Sequence, residues 1–302
     1  MKSKSLTRSY LLMLFPGYLW LILFSVVPMV GFVFAFQDFV PGRGFFGSDW
    51  VGLDNFAYLF SLDDSRIVFF NTLAISVAKI IGFVLVPLVF SLMLNELRVG
   101  LMKRWIQTIV YLPHFLSWVI LGGIMLDIFS LHGPVNTMLA SLGGTTVPFF
   151  AKAELFPTLA IASDVWKEFG FNAVLYLAAL TAISPALYES AAIDGATKWQ
   201  QLWRITLPSL SGTVVLLTVL GLGNILNAGN NANAGFDQIF NLYNPLTYST
   251  GDIIDTWVYR SGLLNLQYGL ATAAGLLKST VGFLMISLSY YLAQRFANYR
   301  IF

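Results

Sequence analysis

The sequence predicts an all-α, polytopic membrane protein that crosses the bilayer six times. Three observations carry that expectation. Charged side chains make up only 11% of the 302 residues and apolar ones 57%, whereas a soluble domain carries about 25% charge. Mean hydropathy is correspondingly high, at +0.73. The apolar residues also gather in runs of the length a helix needs to span a hydrocarbon core, roughly 20 residues. Such runs are too long for barrel strands, which leaves helices to satisfy the backbone in lipid.

Taken in order, the first span is read over residues 11–36, behind Lys2, Lys4 and Arg8. Its apolar run exceeds that of a secretory leader and has no small-residue cleavage site before its end, so it reads as a retained helix. The others are read over 68–94, 106–129, 156–182, 209–227 and 268–293. The first and third are almost free of charge. Lys79 and Lys278 split the second and sixth, and Asp164, Lys167 and Glu168 interrupt the fourth. Positive residues set the orientation. With the N-terminus inside, the inner segments hold Lys2, Lys4, Arg8, Arg98, Lys103, Arg104, Lys198, Arg204, Arg295 and Arg300. The outer ones hold only Arg43, Arg66, Lys152 and Arg260. Both termini are therefore expected in the cytoplasm.

Two outer segments, 37–66 and 228–265, are longer than a helix connection needs and are expected to offer a surface to a soluble partner. In the second, Asn227-Ala-Gly recurs as Asn233-Ala-Gly, a short local duplication or insertion. The absence of a longer repeat argues against the internally repeated secondary carriers. Without cysteine there is no disulfide or thiolate chemistry, two histidines are too few for a histidine metal cluster, and no dense basic run suggests nucleic acid.

The most ordered polar stretch is 184–208, between the fourth and fifth spans. Ser184-Pro185 reads as a helix start. A short helix follows to about Ile193, and Gly195 permits a left-handed bend. Thr197 and Gln200 have the spacing of a capping box for a second helix, which Pro208 is expected to end. The expected object is a helix–bend–helix across the inner face, offering Glu189 and small residues to a docking partner.

The residues Glu189-Ser-Ala-Ala-Ile-Asp-Gly195, followed by Ile205-Thr-Leu-Pro208, resemble the EAA loop of ATP-binding-cassette importer permeases, with serine at position 190 in place of alanine. The resemblance extends over nearly the whole chain. Gly52–Phe56 (G-L-D-N-F), Tyr111–Pro113, Gly133–Asn136 and Asp164–Asn172 look like the carbohydrate-type permeases, and Phe236–Pro245 like the polysaccharide subgroup. It fits worst around 228–234. It implies a type I importer fold in one transmembrane domain over 1–302, located in the cell's inner membrane. The implied partners are a second homologous permease in a heterodimer, two ATP-binding-cassette subunits and an extracytoplasmic solute-binding protein delivering sugar. ATP and magnesium would belong to the partner ATPases, since this chain has no phosphate loop of its own. Glu189, Ser190, Ala191, Ala192, Asp194, Gly195, Leu207 and Pro208 are the implied coupling residues, and no residue is assigned a catalytic role.

Ionisable residues inside a span are functional candidates. Asp164 and Lys167 lie on neighbouring positions of one helix face and are expected to neutralise each other, leaving Glu168 over. Lys79 serves packing or snorkelling as readily as substrate contact. Lys278, with Asn265 and Gln267 upstream, is a candidate to attract an anionic sugar, such as a uronate polymer. Aromatic and amide side chains suited to sugar contact are Trp166, Tyr243, Trp257, Tyr259, Asn224, Asn227, Gln238 and Asn241, while His114 reads as a local helix-end contact. The competing readings are an ion-coupled carrier driven through Asp164, Glu168 or Asp127, and an importer of a non-sugar solute.

Overall fold

In the computed structural model, which describes residues 2–97, 100–229 and 234–297, the chain is almost entirely helical. The order is α1 (Lys2–Leu21), continued by a π turn (Ile22–Val26) and a 3₁₀ segment (Val27–Phe36), then β1 (Gln37–Asp38), α2 (Gly44–Gly47), β2 (Asp49–Trp50) and α3 (Asp54–Ser61). Next come α4 (Asp63–Glu96), α5 (Gly100–Tyr111), α6 (Trp118–Ile128), α7 (Pro134–Ser141) and α8 (Phe156–Thr181). The chain continues through α9 (Pro185–Ile193), α10 (Lys198–Gln201), α11 (Leu207–Gly223), α12 (Ala234–Leu242), α13 (Tyr248–Gly251), α14 (Ile254–Tyr259) and α15 (Tyr268–Ala297).

Four stretches are long and apolar enough to cross a membrane: Ser9–Phe36, Asp63–Glu96, Lys198–Gly223 and Tyr268–Leu292. Two bent pairs, α5–α6 at 102° and α8–α9 at 63°, bring the total to six if each counts as one span. The third span, read over 106–129, is thus a bent pair of helices. Its path turns through a 3₁₀ segment at Leu112–Phe115, where Pro113 offers no N–H. Ser117 then adopts an extended conformation and its hydroxyl accepts the Ile120 N–H, starting α6 afresh.

The chain packs into two units. The smaller, residues 1–62 and 258–277, is built around the end of the first span. There β1 and β2 pair antiparallel, Gln37 opposite Trp50. Asn55, within the Gly52–Phe56 motif, donates to both Ala35 O and Gln37 O at 3.0 Å, satisfying carbonyls that the helix end leaves free. The expected outer loop 37–66 is therefore ordered structure.

In the larger unit, residues 63–257 and 278–302, α4 and α8 lie against each other. Gly82 makes this approach possible, because a Cβ there would sit 2.5 Å from a Val165 methyl. Small residues at such crossings let helices meet in lipid, where no hydrophobic force drives them together. A core of Ile75, Trp118, Leu121, Phe150, Phe156, Ile239, Leu242 and Ile253 ties these helices to α6 and α12. The expected loop 228–265 is thus largely helical and partly core. Arg98, Arg300 and the Asn-rich positions 230–233 lie outside the described residues.

Candidate functional site

The 184–208 segment forms the helix–bend–helix that its caps specify. α9 begins with Pro185 in its first turn, although Ser184 makes no side-chain capping bond. The backbone turns at Gly195, whose φ of +79° lies in the left-handed region, with open space where a Cβ would be. The Thr197 hydroxyl then accepts the Gln200 N–H and the Gln200 side chain accepts the Thr197 N–H, completing the capping box of α10. Pro208 does not end this second helix. A π turn at Leu202–Thr206 widens the backbone, and Pro208 falls in the first turn of α11, so the helix runs on as a continuous span to Gly223. A π turn adds a residue and loosens the hydrogen-bond ladder where a proline would otherwise clash.

The segment is braced from beneath and open on its outer face. Tyr188 Oη lies 2.9 Å from Thr206 Oγ1, and Gln201 Nε2 donates to Ala196 O at 3.3 Å. Glu189, Ser190, Ala192, Asp194 and Gly195 are exposed, as are Leu187 and Ile193. A cleft of about 610 Å³ separates the base of the segment (Tyr188, Lys198, Trp199, Gln201) from the end of α4 (Leu92, Met93, Asn95, Glu96) and the adjoining Leu97. Both therefore lie at the same end of the larger unit.

The charges inside the spans pair differently from the expectation of neighbours on one helix. Asp164 does not pair with Lys167. Its Oδ2 lies 2.7 Å from Lys79 Nζ, with both side chains 1% exposed. The ammonium approaches off the hydrogen-bonding direction, and Asp164 Oδ1 has no partner among the described residues. Lys79 also donates to Ala228 O at 2.7 Å and to Gln238 Oε1. Gln238 Nε2 donates onward to Ala160 O and Ser163 Oγ. Glu168 is not left over: it accepts from Lys167 at 2.7 Å and contacts His114 Nδ1 at 2.7 Å. The physical reason is burial, since an ammonium excluded from water needs a full set of acceptors and α4 brings Lys79 directly against Asp164.

The sequence profile of binding-protein-dependent transport system inner membrane components matches residues 84–298. The chain belongs to that family. It is 37% identical over 301 residues to the polygalacturonan/rhamnogalacturonan transport system permease protein YteP of Bacillus subtilis (strain 168), covering 99% of this chain and 92% of the relative. Protein LplB of the same organism is 37% identical over 292 residues, covering 96% of this chain and 90% of the relative. Among solved structures, a chain of a bacterial alginate ABC transporter, in complex with alginate pentasaccharide-bound periplasmic protein, superposes with a TM-score of 0.88 at 38% identity, covering 99% of both chains.

Within this inner membrane permease, the candidate sugar contacts fall into separate environments. Gln238 is 0% exposed, its amide oxygen accepting from Lys79 and its amide nitrogen donating to Ala160 O and Ser163 Oγ. Trp257 is buried, Tyr243 packs against Tyr248, and Trp166 is 46% exposed. Asn227 Nδ2 donates to Asn224 Oδ1 at 3.0 Å, while Tyr259 lies in the smaller unit at the end of α14. Lys278 is not an unpaired cation awaiting an anion, because it contacts Asp255 Oδ1 at 2.5 Å. Burial pushes the Asp255 carboxyl above its usual range, and the nearby Lys278 ammonium opposes that shift.

Two substitutions test the 184–208 segment directly. The Ser190 hydroxyl donates to Ala186 O at 2.9 Å and to Leu187 O at 3.2 Å, so its proton is spent within its own helix. Ser190→Ala is therefore expected to leave ATPase coupling unchanged and to stabilise α9 by no more than about 0.5 kcal/mol. An activity loss on this change would show that the hydroxyl meets a partner. Gly195→Ala keeps the bend's volume but forces a Cβ into a left-handed backbone, costing about 1–2 kcal/mol. It is expected to lower both the melting temperature and the coupling of the assembled complex.

Proposed function

We propose that this permease is the subunit through which two cytoplasmic ATPases drive import of acidic oligosaccharides. The observation that carries this is the 184–208 segment: an exposed helix with Glu189 on its surface, joined through a capped turn to a helix long enough to cross the membrane. A push on α9 is passed through this turn to that span, which is the element a two-state mechanism needs. ATP and magnesium are held by the partner ATPases, so this chain moves but does not catalyse. A second permease completes the path in a heterodimer, and an extracytoplasmic binding protein delivers the sugar. Lys/Arg placement favours both termini, and this segment, on the cytoplasmic side.

Support for an acidic sugar comes from the named relatives for polygalacturonan, rhamnogalacturonan and alginate. It no longer comes from Lys278, whose charge Asp255 answers. The test is co-purification with the ATPase, second permease and binding protein, followed by uptake of oligogalacturonide into proteoliposomes. ATP-dependent uptake supports the reading. Uptake by this chain alone under an ion gradient would overturn it in favour of a carrier.

A further inference from the structure

Non-helical backbone at bilayer depth persists only against protein or beside a water-filled cavity. The break between α5 and α6 begins at Leu112, eight residues beyond Arg104 (112 − 104), the last inner cation of α5, a rise of about 12 Å at 1.5 Å per residue. Lys167 and Glu168, which meet this break from α8, lie near the middle of that helix's 26 residues. Two elements thus place the break in the membrane interior independently. Lys167 Nζ donates to the His114 carbonyl at 2.9 Å and to Glu168 Oε1 at 2.7 Å, while Glu168 Oε2 lies 2.7 Å from His114 Nδ1. Charge satisfies the freed carbonyl, and Glu168 neutralises the charge.

The cluster is not sealed. The His114 and Glu168 side chains are 27% and 12% exposed, and their flank is aromatic. His114 stacks parallel on Phe171 at 3.9 Å and meets Phe115 at 5.2 Å. Phe115 and Phe171 are themselves well exposed. Ionised groups at this depth face a bundle interior or water, not lipid.

We infer that this flank is a saccharide subsite on the translocation path, in which His114 Nε2 accepts a sugar hydroxyl and Phe115 and Phe171 stack on the ring's C–H face. The inference rests on the importer reading above. Glu168 engages Nδ1, so in the neutral imidazole the proton sits on Nδ1 and Nε2 presents a lone pair. No described residue takes it. A pyranose offers what the flank lacks, hydroxyl donors beside an apolar face. His114 is thus more than the helix-end contact its position after Pro113 suggested.

The chain has no cysteine, so Phe115→Cys and Phe171→Cys each create its single thiol. In the assembled complex, both thiols are expected to react with a charged methanethiosulfonate during ATP turnover, and more slowly under saturating oligogalacturonide. Thiols that stay unmodified, or react equally with and without saccharide, overturn the inference. A second measurement separates substrate contact from mere support of Glu168. Glutamine places a polar atom where Nε2 sits, and asparagine where Nδ1 sits. His114→Asn is expected to raise the KM for uptake about tenfold, the size of one lost hydrogen bond, and His114→Gln by less. Equal effects, or the reverse order, overturn the contact. A wild-type complex that takes up no saccharide overturns the importer reading and this subsite together, which distinguishes that failure from the variants' own.

Discussion

Lys79→Met is expected to destabilise the protein by about 3–5 kcal/mol, the range for removing one partner of a buried ion pair. The size follows from what the ammonium leaves behind. Asp164 would remain as a carboxylate 1% exposed, and the Ala228 carbonyl and Gln238 Oε1 would lose a donor. The measurement is thermal unfolding of the detergent-purified complex, with expression yield as a second readout. Adding Asp164→Leu removes the orphaned charge and is expected to recover most of the loss, because apolar pairs replace buried ion pairs at little cost. Two carbonyl-type acceptors stay unanswered in the double variant, at about 1–3 kcal/mol each when fully buried, so recovery stops short of wild type. Full loss in the single variant without recovery in the double would mean that Lys79 contributes through some route other than this pair.

Glu189→Lys is expected to abolish stimulation of ATP hydrolysis by the loaded binding protein while leaving the fold intact. Glu189 is exposed on α9, so its reversal removes nothing the isolated chain relies on. At a partner's groove, losing one member of a buried charge contact costs about 2–5 kcal/mol, a thirtyfold to several-thousandfold weaker engagement. Glu189→Ala is expected to fall between wild type and Lys. Unchanged stimulation in the lysine variant would remove Glu189 from the coupling contact.

The spans and the helix–bend–helix were legible because their signals are local. Apolar run length marked the crossings, and Pro185, Gly195 and the Thr197–Gln200 pair each act within a few residues of themselves. Pro208 misled because the widened turn at Leu202–Thr206 has no distinctive sequence mark. The third span was read as one crossing over 106–129, and its bend lies where Pro113 and Ser117 end one helix and start the next. The ion pairs were hidden for a different reason. An ionisable residue in an apolar run announces that a partner exists, but not which one. Spacing favoured Lys167 for Asp164, whereas helix packing supplied Lys79 from α4 and freed Lys167 for Glu168 and the His114 carbonyl.

The three-way grip of Lys79 also bears on how the protein is made. Translation delivers α4, with its lysine, before Asp164, and Asp164 before Ala228 and Gln238. A lysine at the centre of an inserting helix costs about 2.5–3.5 kcal/mol, which the apolar residues around it in a 34-residue helix can carry. The nascent chain therefore holds an unanswered cation in the bilayer through the synthesis of two further spans. It loses that liability first when α8 docks, and completely only when the segment after α11 folds back.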